Sequence, residues 1–379
     1  MDDVYKNSLA LHREHHGKLE VKSKVPLENK NDLSLAYTPG VGQVSVEIGK
    51  NPELAWEYTL KRNTVAIVSD GSAILGLGNL GAEAAIPVME GKAVLFKKFA
   101  DIDAFPLCLA TQDSEEIIQT VKRIAPVFGG INLEDISAPR CFEIEHRLQA
   151  ELSIPVMHDD QHGTSVVVLA GLINALKLTG IERKEANVVI SGAGAAGIAV
   201  TNLLLTFGFV NVIVCDSKGT IHRERKDLTA QKQALAQVTN PRGLDGDLSA
   251  AIAGADIFVG VSKANTLTEE MVRSMNKNPT IFALANPVPE IMPDIAKKSG
   301  AFIVATGRSD FPNQVNNVLA FPGIFRGALD RGVKQFTDAM FLQAAEQLAA
   351  CVKDPDVDHI LPSVFDKDVT SAVARAIHE

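Results

Sequence analysis

Cysteine is scarce in this 379-residue sequence: Cys108, Cys141, Cys215 and Cys351 are scattered, each in or near an apolar segment. They form neither a disulfide framework nor a zinc knuckle, so a reducing, cytoplasmic setting is the expectation. No apolar run is long enough for a membrane span; the longest, Val166 to Leu176, falls well short of the roughly 20 residues required. The opening MDDVYKNSLALHREHHGK is charged throughout and lacks the apolar centre of a signal peptide. A long basic run is also missing, and 46 acids against 37 bases give a net charge of -9. That balance disfavours nucleic acid and anionic membranes as partners. Neither an internal repeat nor a low-complexity segment is present.

What the chain does contain is ordinary for a globular protein: 46% hydrophobic and 22% charged residues. Its length predicts two domains, each with its own core. Short β-branched runs alternate with longer helical patterns, the mark of α/β architecture. Strands are predicted at Thr64 to Ser69, Ala93 to Phe96, Phe105 to Leu109, Val127 to Leu133 and Ile154 to Met157, with a helix over Ser114 to Ala125. A second series follows a helix over Thr164 to Leu178, with strands at Asn187 to Ile190, Val212 to Cys215, Ile257 to Val261, Ile281 to Ala285 and Phe302 to Val304. Such spacing requires crossover helices and predicts a mostly parallel, doubly wound sheet. From about Gly327 the chain reads as helices that either cap the second domain or pack back on the first.

The strand NVVI runs into Ser191-Gly192-Ala193-Gly194-Ala195-Ala196-Gly197 and then a helical pattern. In that context Gly192 makes a tight turn, Gly194 admits a pyrophosphate to the backbone, and Gly197 allows close helix packing. Asp216, at the end of the next strand, stands where a ribose-binding acid is expected. Its carboxylate favours NAD, while the following Ser217 and Lys218 are able to receive the 2′-phosphate of NADP, so both cofactors stay open.

Two predicted strands end in acids: Val127 to Leu133 in Glu134-Asp135, and Ile154 to Met157 in His158-Asp159-Asp160. Strand C-termini are where ligands sit in open α/β sheets, so the two pairs are able to share one site. Carboxylates without cysteine suit magnesium or manganese rather than zinc. Asp160 is equally readable as the N-cap of a helix starting near Gly163, and Glu134-Asp135 as a solvated loop. His158 and His162 read as packing or supporting residues. Tyr37, in the turn-rich LAYTPGV, is a candidate general acid. Lys92 stands at the entrance to the predicted strand Ala93 to Phe96, where desolvation would lower its pKa toward that of a general base. Either residue alone is also readable as surface or packing.

Taken in order, LAYTPGV (35–41), DGSAILGLGNLG (70–81), EGKAVLF (90–96), INLEDI (131–136), HDDQHGT (158–164), SGAGAAG (191–197), ALANPVPE (283–290) and NNVLAFPG (316–323) resemble malic enzymes of the short bacterial and archaeal type. The resemblance implies an N-terminal α/β substrate and metal domain over residues 1–160. Residues 161–379 would form a Rossmann-type NAD(P)-binding domain with a helical tail. It implies oxidative decarboxylation of L-malate to pyruvate and carbon dioxide, with NAD or NADP as hydride acceptor and Mg2+ or Mn2+. Glu134, Asp135 and Asp160 become metal ligands, Lys92 the general base, Tyr37 the general acid, and Asp159 the group that orients Lys92. Asn286 would lie near the nicotinamide and, with Asn316 and Asn317, hold malate. A homo-oligomer, a dimer or larger, is expected. In longer relatives an arginine clamps the substrate carboxylate where this sequence has Ala73, leaving that task to backbone amides of residues 76–81, Ser72 and the asparagines. A malolactic enzyme, making lactate with a tightly held NAD, and a catalytically silent NAD-binding regulator are the alternative readings.

Overall fold

The computed structural model describes residues 2–378, and two parallel sheets organise it. The first is built from β1 (Thr64–Ser69), β2 (Asp103–Cys108), β3 (Gly130–Leu133) and β4 (Val156–His158), in the order β2-β1-β3-β4. Pairing is parallel throughout, with Val65 opposite both Ala104 and Gly130, and Ile131 opposite Val156. The second holds β5 (Asn187–Ser191), β6 (Asn211–Asp216), β7 (Gly219–Thr220), β8 (Ile257–Gly260), β9 (Thr280–Ala283) and β10 (Ile303–Thr306). Its order is β10-β9-β8-β5-β6-β7, and only the short β7 is antiparallel to its neighbour. Strands β1 and β5 each start a sheet and have later strands on both sides. The chain therefore reverses direction across the sheet next to each of them, and that switch point is where ligands bind in α/β folds.

One predicted strand is a helix. Ala93 to Phe96 lies inside the Ala82–Ala100 helix, whose buried positions Ala85, Met89, Lys92, Ala93, Phe96 and Ala100 recur at spacings of three and four. The four-residue apolar run is one side of that helical stripe, and read alone it is indistinguishable from a short strand. The predicted start near Gly163 is also too late: the Asp159–Thr179 helix begins directly after β4, with His158 as its N-cap. Its buried residues from Val166 to Leu172 are consecutive because other elements cover it on every side. By length and composition alone this helix is apolar and long enough to cross a membrane, contrary to the reading of the shorter Val166 to Leu176 run, but 61% of its apolar window is buried inside the protein.

The tail does both things the sequence left open. Phe321 and Phe325 meet Phe96 at ring-centroid distances of 4.7 and 5.5 Å, which docks the Phe321–Arg331 helix on the first sheet's layer. The Asp338–Ala350 helix packs on Asp159–Thr179 and on Ala195–Phe207, the helix that follows β5. One apolar core consequently runs from Val65 and Ile67 of β1, through Val166 to Leu172, to Val188 and Ile190 of β5. This shared core fixes the distance between the strand ends that carry the acids and those that carry the glycines. By contrast, no residue from 3 to 63 is buried.

Candidate active site

A cleft of about 540 Å³ opens between the C-terminal ends of the two sheets. Lys92, Glu134, Asp135, Asp160, Asn286, Asn316 and Asn317 all line it, and Ala196 of the glycine-rich segment forms part of the opposite wall. Lys92 is the centre of its polar floor. It projects from the middle of the Ala82–Ala100 helix, 8% exposed, with its ammonium 2.8 Å from Glu134 Oε1, hydrogen-bonded to Asp159 Oδ2, and 4.2 Å above the Phe321 ring. Burial on its own depresses a lysine pKa, as the sequence led us to expect. Here Asp159 and Glu134 outweigh burial and hold the Lys92 pKa above the usual lysine range.

Asp159 is placed from beneath. Asn317 donates to Asp159 Oδ2 at 3.1 Å and accepts from Thr164 Oγ1 at 3.1 Å. Both ends of the Asn317 amide are thus engaged in fixing the carboxylate that faces Lys92. Gly163 is the enabling residue: a Cβ there would stand 1.9 Å from Asp159 Oδ1. Asn316 Oδ1 caps the Val318 amide at 3.1 Å. None of Gly163, Thr164 and the positioning function of Asn317 was legible as such, although all three sit inside quoted motifs.

Asp160 is not an N-cap. Its Oδ2 accepts from the Asp135 amide at 2.9 Å and lies 3.2 Å from His158 Nε2. His158 is fully buried; burial disfavours its charge, but Asp160, Glu145 and Asp159 outweigh this and raise its pKa. His162 supports the site from further back, 3.0 Å from Glu145 and stacked on Phe341. Asp135 adopts a left-handed backbone conformation (φ 53°), as does Leu75 (φ 45°), and the two are joined by the Leu75 amide donating to Asp135 Oδ1 at 3.2 Å. Strain of this kind persists only where surrounding contacts fix it. Asp135 Oδ2 is buried with no hydrogen-bond partner. Burial first and Asp160 second push the Asp135 carboxyl up to about 7. Burial and the neighbouring acids likewise raise Glu134, against the pull of Lys92. Among the described residues no group of three His, Cys, Asp or Glu side chains already stands as a metal cage.

Ser72 is spent. Its Oγ donates to Asp70 at 2.6 Å and accepts from the Ser137 amide and Arg140 Nη2, the latter also 2.8 Å from Asp70. Arg140 therefore braces the loop after β1 and is not free to clamp a carboxylate. Tyr37 does not reach the cleft either: it follows the Lys30–Ala36 helix and is 67% exposed.

On the opposite wall, Gly192 (φ 118°) ends β5, and a Cβ there would stand 2.5 Å from the Val261 carbonyl oxygen. A Cβ on Gly197 would lie 1.9 Å from the Gly192 carbonyl oxygen. Gly194 has nothing within 4 Å of its Cβ position, and as N-cap it leaves the first amides of the Ala195–Phe207 helix without a side-chain acceptor. Ala193, Ala195 and Ala196 are small and partly accessible. Free amides at a helix N-terminus beside an open glycine have the geometry to accept a phosphate group. Glu290, which the sequence reading passed over, is wholly buried and accepts from the Ser262 and Ala285 amides at 2.9 and 3.0 Å, tying the loops after β8 and β9 together beside Asn286.

Comparison with known families shows where the chain belongs. Residues 16–149 match the malic enzyme N-terminal domain and residues 161–379 the malic enzyme NAD-binding domain. The chain belongs to the malic enzyme family. It is 54% identical over 373 residues to the bifunctional malic/malolactic enzyme of Bacillus subtilis, covering 98% of this chain and 91% of that one. It is 55% identical to the NAD-dependent malic enzyme of Geobacillus stearothermophilus, covering 96% and 76%. The crystal structure of the NAD-dependent malic enzyme of Thermotoga maritima superposes with a TM-score of 0.95 at 51% identity, covering 97% and 98%.

The Gly163 contact gives a direct check. Gly163→Ala should destabilise the fold by about 1–3 kcal/mol through overpacking against Asp159. Gly49→Ala, where nothing lies within 4 Å, should be neutral or stabilising. Urea denaturation of the two variants measures this, and equal midpoints would show that the Asp159 carboxylate is not held against Gly163.

Proposed function

We propose that this chain oxidatively decarboxylates L-malate to pyruvate and carbon dioxide, with NAD or NADP as hydride acceptor, in the cytoplasm. The observation that carries the reading is a buried lysine held between two carboxylates, in a cleft whose far wall is a glycine cradle for a dinucleotide. Lys92 has to enter the step as the free amine, against the preference that Asp159 and Glu134 impose on it, and it then accepts the C2 hydroxyl proton as hydride leaves C2. The ammonium so formed is the state that Asp159 and Glu134 stabilise. The C3–C4 bond then breaks, C4 leaves as carbon dioxide, and Tyr37 gives a proton to C3 of the three-carbon enolate, its phenolate being reprotonated from the Lys92 ammonium. Asn286 and Asn316 face the substrate from the cofactor side, and Asn317 keeps Asp159 aimed at Lys92.

Glu134, Asp135 and Asp160 fit a hard divalent cation, Mg2+ or Mn2+. All three are oxygen donors on one cleft, the buried Asp135 Oδ2 lacks a partner, and four crowded carboxylates face one ammonium and one imidazole. When bound, the dinucleotide supplies a hydride acceptor and the cation supplies Lewis-acid polarisation of the hydroxy acid. Manganese alone should raise the melting temperature of the wild type and leave that of Asp135→Asn nearly unchanged. An equal rise in both, read by differential scanning calorimetry, would remove Asp135 from the cation site.

The decisive assay follows NADH or NADPH formation with L-malate and Mn2+. Reduced cofactor and pyruvate should appear together, and Lys92→Ala should lower turnover by about 10²- to 10⁴-fold. The relative named as a bifunctional malic/malolactic enzyme supports keeping lactate in the product analysis; lactate without net reduction would replace the first reading by the second.

A second copy of the chain completes the site in this reading. Residues 3–63 include none that is fully buried in its own chain, Trp56 being half-buried, and they expose Val4, Tyr5, Leu9, Leu33, Leu35 and Tyr37, an apolar surface of the kind that oligomers cover. Tyr37 would then serve the cleft of its partner in a homodimer. Mixing inactive Tyr37→Phe with inactive Lys92→Ala should restore about a quarter of wild-type activity, the share expected when dimers reassort at random. No recovery after verified subunit exchange would place Tyr37 in its own chain's cleft.

A further inference from the structure

Glu290 takes no part in the chemistry at Lys92, yet it is a wholly enclosed acid beside the same cleft. No cation pairs with it among the described residues: burial raises its carboxyl, and what pulls against burial is backbone amides and the Ser262 hydroxyl. Arg308, which reaches the nearby Pro287 carbonyl at 3.2 Å, is committed to Asp310 at 2.6 and 2.9 Å. Burying a carboxylate without a counter-ion is costly. Gly260, at the end of β8, is what admits it: a Cβ there would stand 2.4 Å from Glu290 Cδ.

That cost is offset by what the carboxylate joins. Oε1 accepts from the Ser262 amide at 2.9 Å and Oε2 from the Ala285 amide at 3.0 Å, so one acceptor-only group fixes the separation of the loops that leave β8 and β9. Ser262 Oγ lies 3.1 Å from Oγ of Ser191, the last residue before the glycine turn, and the Val261 amide donates to the Ser191 carbonyl at 2.9 Å. On the other side Ala285 leads into Asn286. The Asn286 side chain makes no hydrogen bond among the described residues and lies against Gly307, where a Cβ would stand 2.8 Å from its Nδ2. Asn286 is thus aimed by its backbone, and Glu290 holds that backbone. Ser262, Ala285 and Asn286 all line the cleft, with Glu290 behind them.

The direction of a dinucleotide follows from the sheet. With its pyrophosphate at the turn after β5 and its adenosine ribose on the side of β6, the nicotinamide half would extend the other way, over the ends of β8 and β9. We propose that Glu290 is a positioning residue for hydride transfer: by holding Ser262 and Ala285 at a fixed separation it keeps Asn286 in register with the glycine turn, and so sets the nicotinamide half against the substrate. This rests on the reading of the cleft as a dinucleotide and hydroxy-acid site. Both carboxylate oxygens accept, so glutamine, equal in shape, is no replacement: one backbone amide would face a side-chain NH2.

Glu290→Gln tests this in the full chain, with NAD+ or NADP+, whichever wild type binds the more tightly. Calorimetry without malate or metal should show dinucleotide affinity lowered about tenfold, the scale of one lost hydrogen bond to a charged group. Turnover at saturating malate, Mn2+ and dinucleotide should fall about 10²-fold, as a misplacement of an ångström does. The rise in melting temperature caused by Mn2+ alone should match wild type, because Glu134, Asp135 and Asp160 are carried by the first sheet and the helix after β4. Glu290→Asp, which keeps the charge and is too short to span both amides, should show the same split in smaller measure, and it answers the question if the glutamine variant does not fold. Wild-type affinity and turnover in either folded variant would overturn the assignment. So would a Mn2+ response lost in step with the dinucleotide, since a general loosening of the fold moves both. Wild type that binds neither dinucleotide would overturn the reading of the cleft, and this inference with it.

Discussion

Taking an ammonium out of water carries a penalty of several kcal/mol, and at Lys92 Asp159 and Glu134 are the carboxylates that stand close enough to offset it. The rest of the site can be traced from that requirement. Asp159 needs Gly163 to have room and Asn317 to have a fixed direction; Asn317 in turn needs Thr164. These residues occupy the first turns of the longest buried helix and the loop before Phe321, and Phe321 closes over the Lys92 ammonium. The charged centre and the apolar core are therefore held by the same elements. A displacement of the tail would be felt at the ammonium directly, through a ring 4.2 Å away.

Much of this was legible in the sequence because it depends on short, local patterns. The strand ends carrying Glu134-Asp135 and Asp159-Asp160, the strand–glycine–helix segment at 187–197, and the parallel architecture all follow from periodicity and spacing. The failures share a physical cause. Ala93 to Phe96 reads as a strand because four apolar residues do not span a helical turn and a half, and only Ala85 and Met89 upstream reveal the stripe. The pKa of Lys92 was predicted in the wrong direction because burial is visible in a sequence and distant counter-charges are not: Asp159 lies 67 positions away. The same holds for Asn317, which meets Asp159 across 158 positions. Asp216 shows the reverse: it ends β6 as the spacing predicts, and its carboxylate is taken up by Arg225 and Lys232, from a loop and helix that carry no motif.

The C-terminal ends of the two sheets carry opposite charge. Next to β1, Glu134, Asp135, Asp159 and Asp160 face Lys92 and His158, so the pocket is anionic; beyond β6, Lys218, Arg225 and Lys232 outnumber Asp216 and Asp227. A small dicarboxylate approaching the first pocket meets repulsion that one lysine does not cancel, and the Asp135 carboxyl is already raised there, by burial first and by Asp160 second. Added positive charge is what such a pocket needs before a hydroxy acid can lie against it. The glycine turn after β5 raises no such barrier to an anion, because the first amides of the Ala195–Phe207 helix have no side-chain acceptor. Charge alone thus sets an anion against the first pocket until something neutralises its acids.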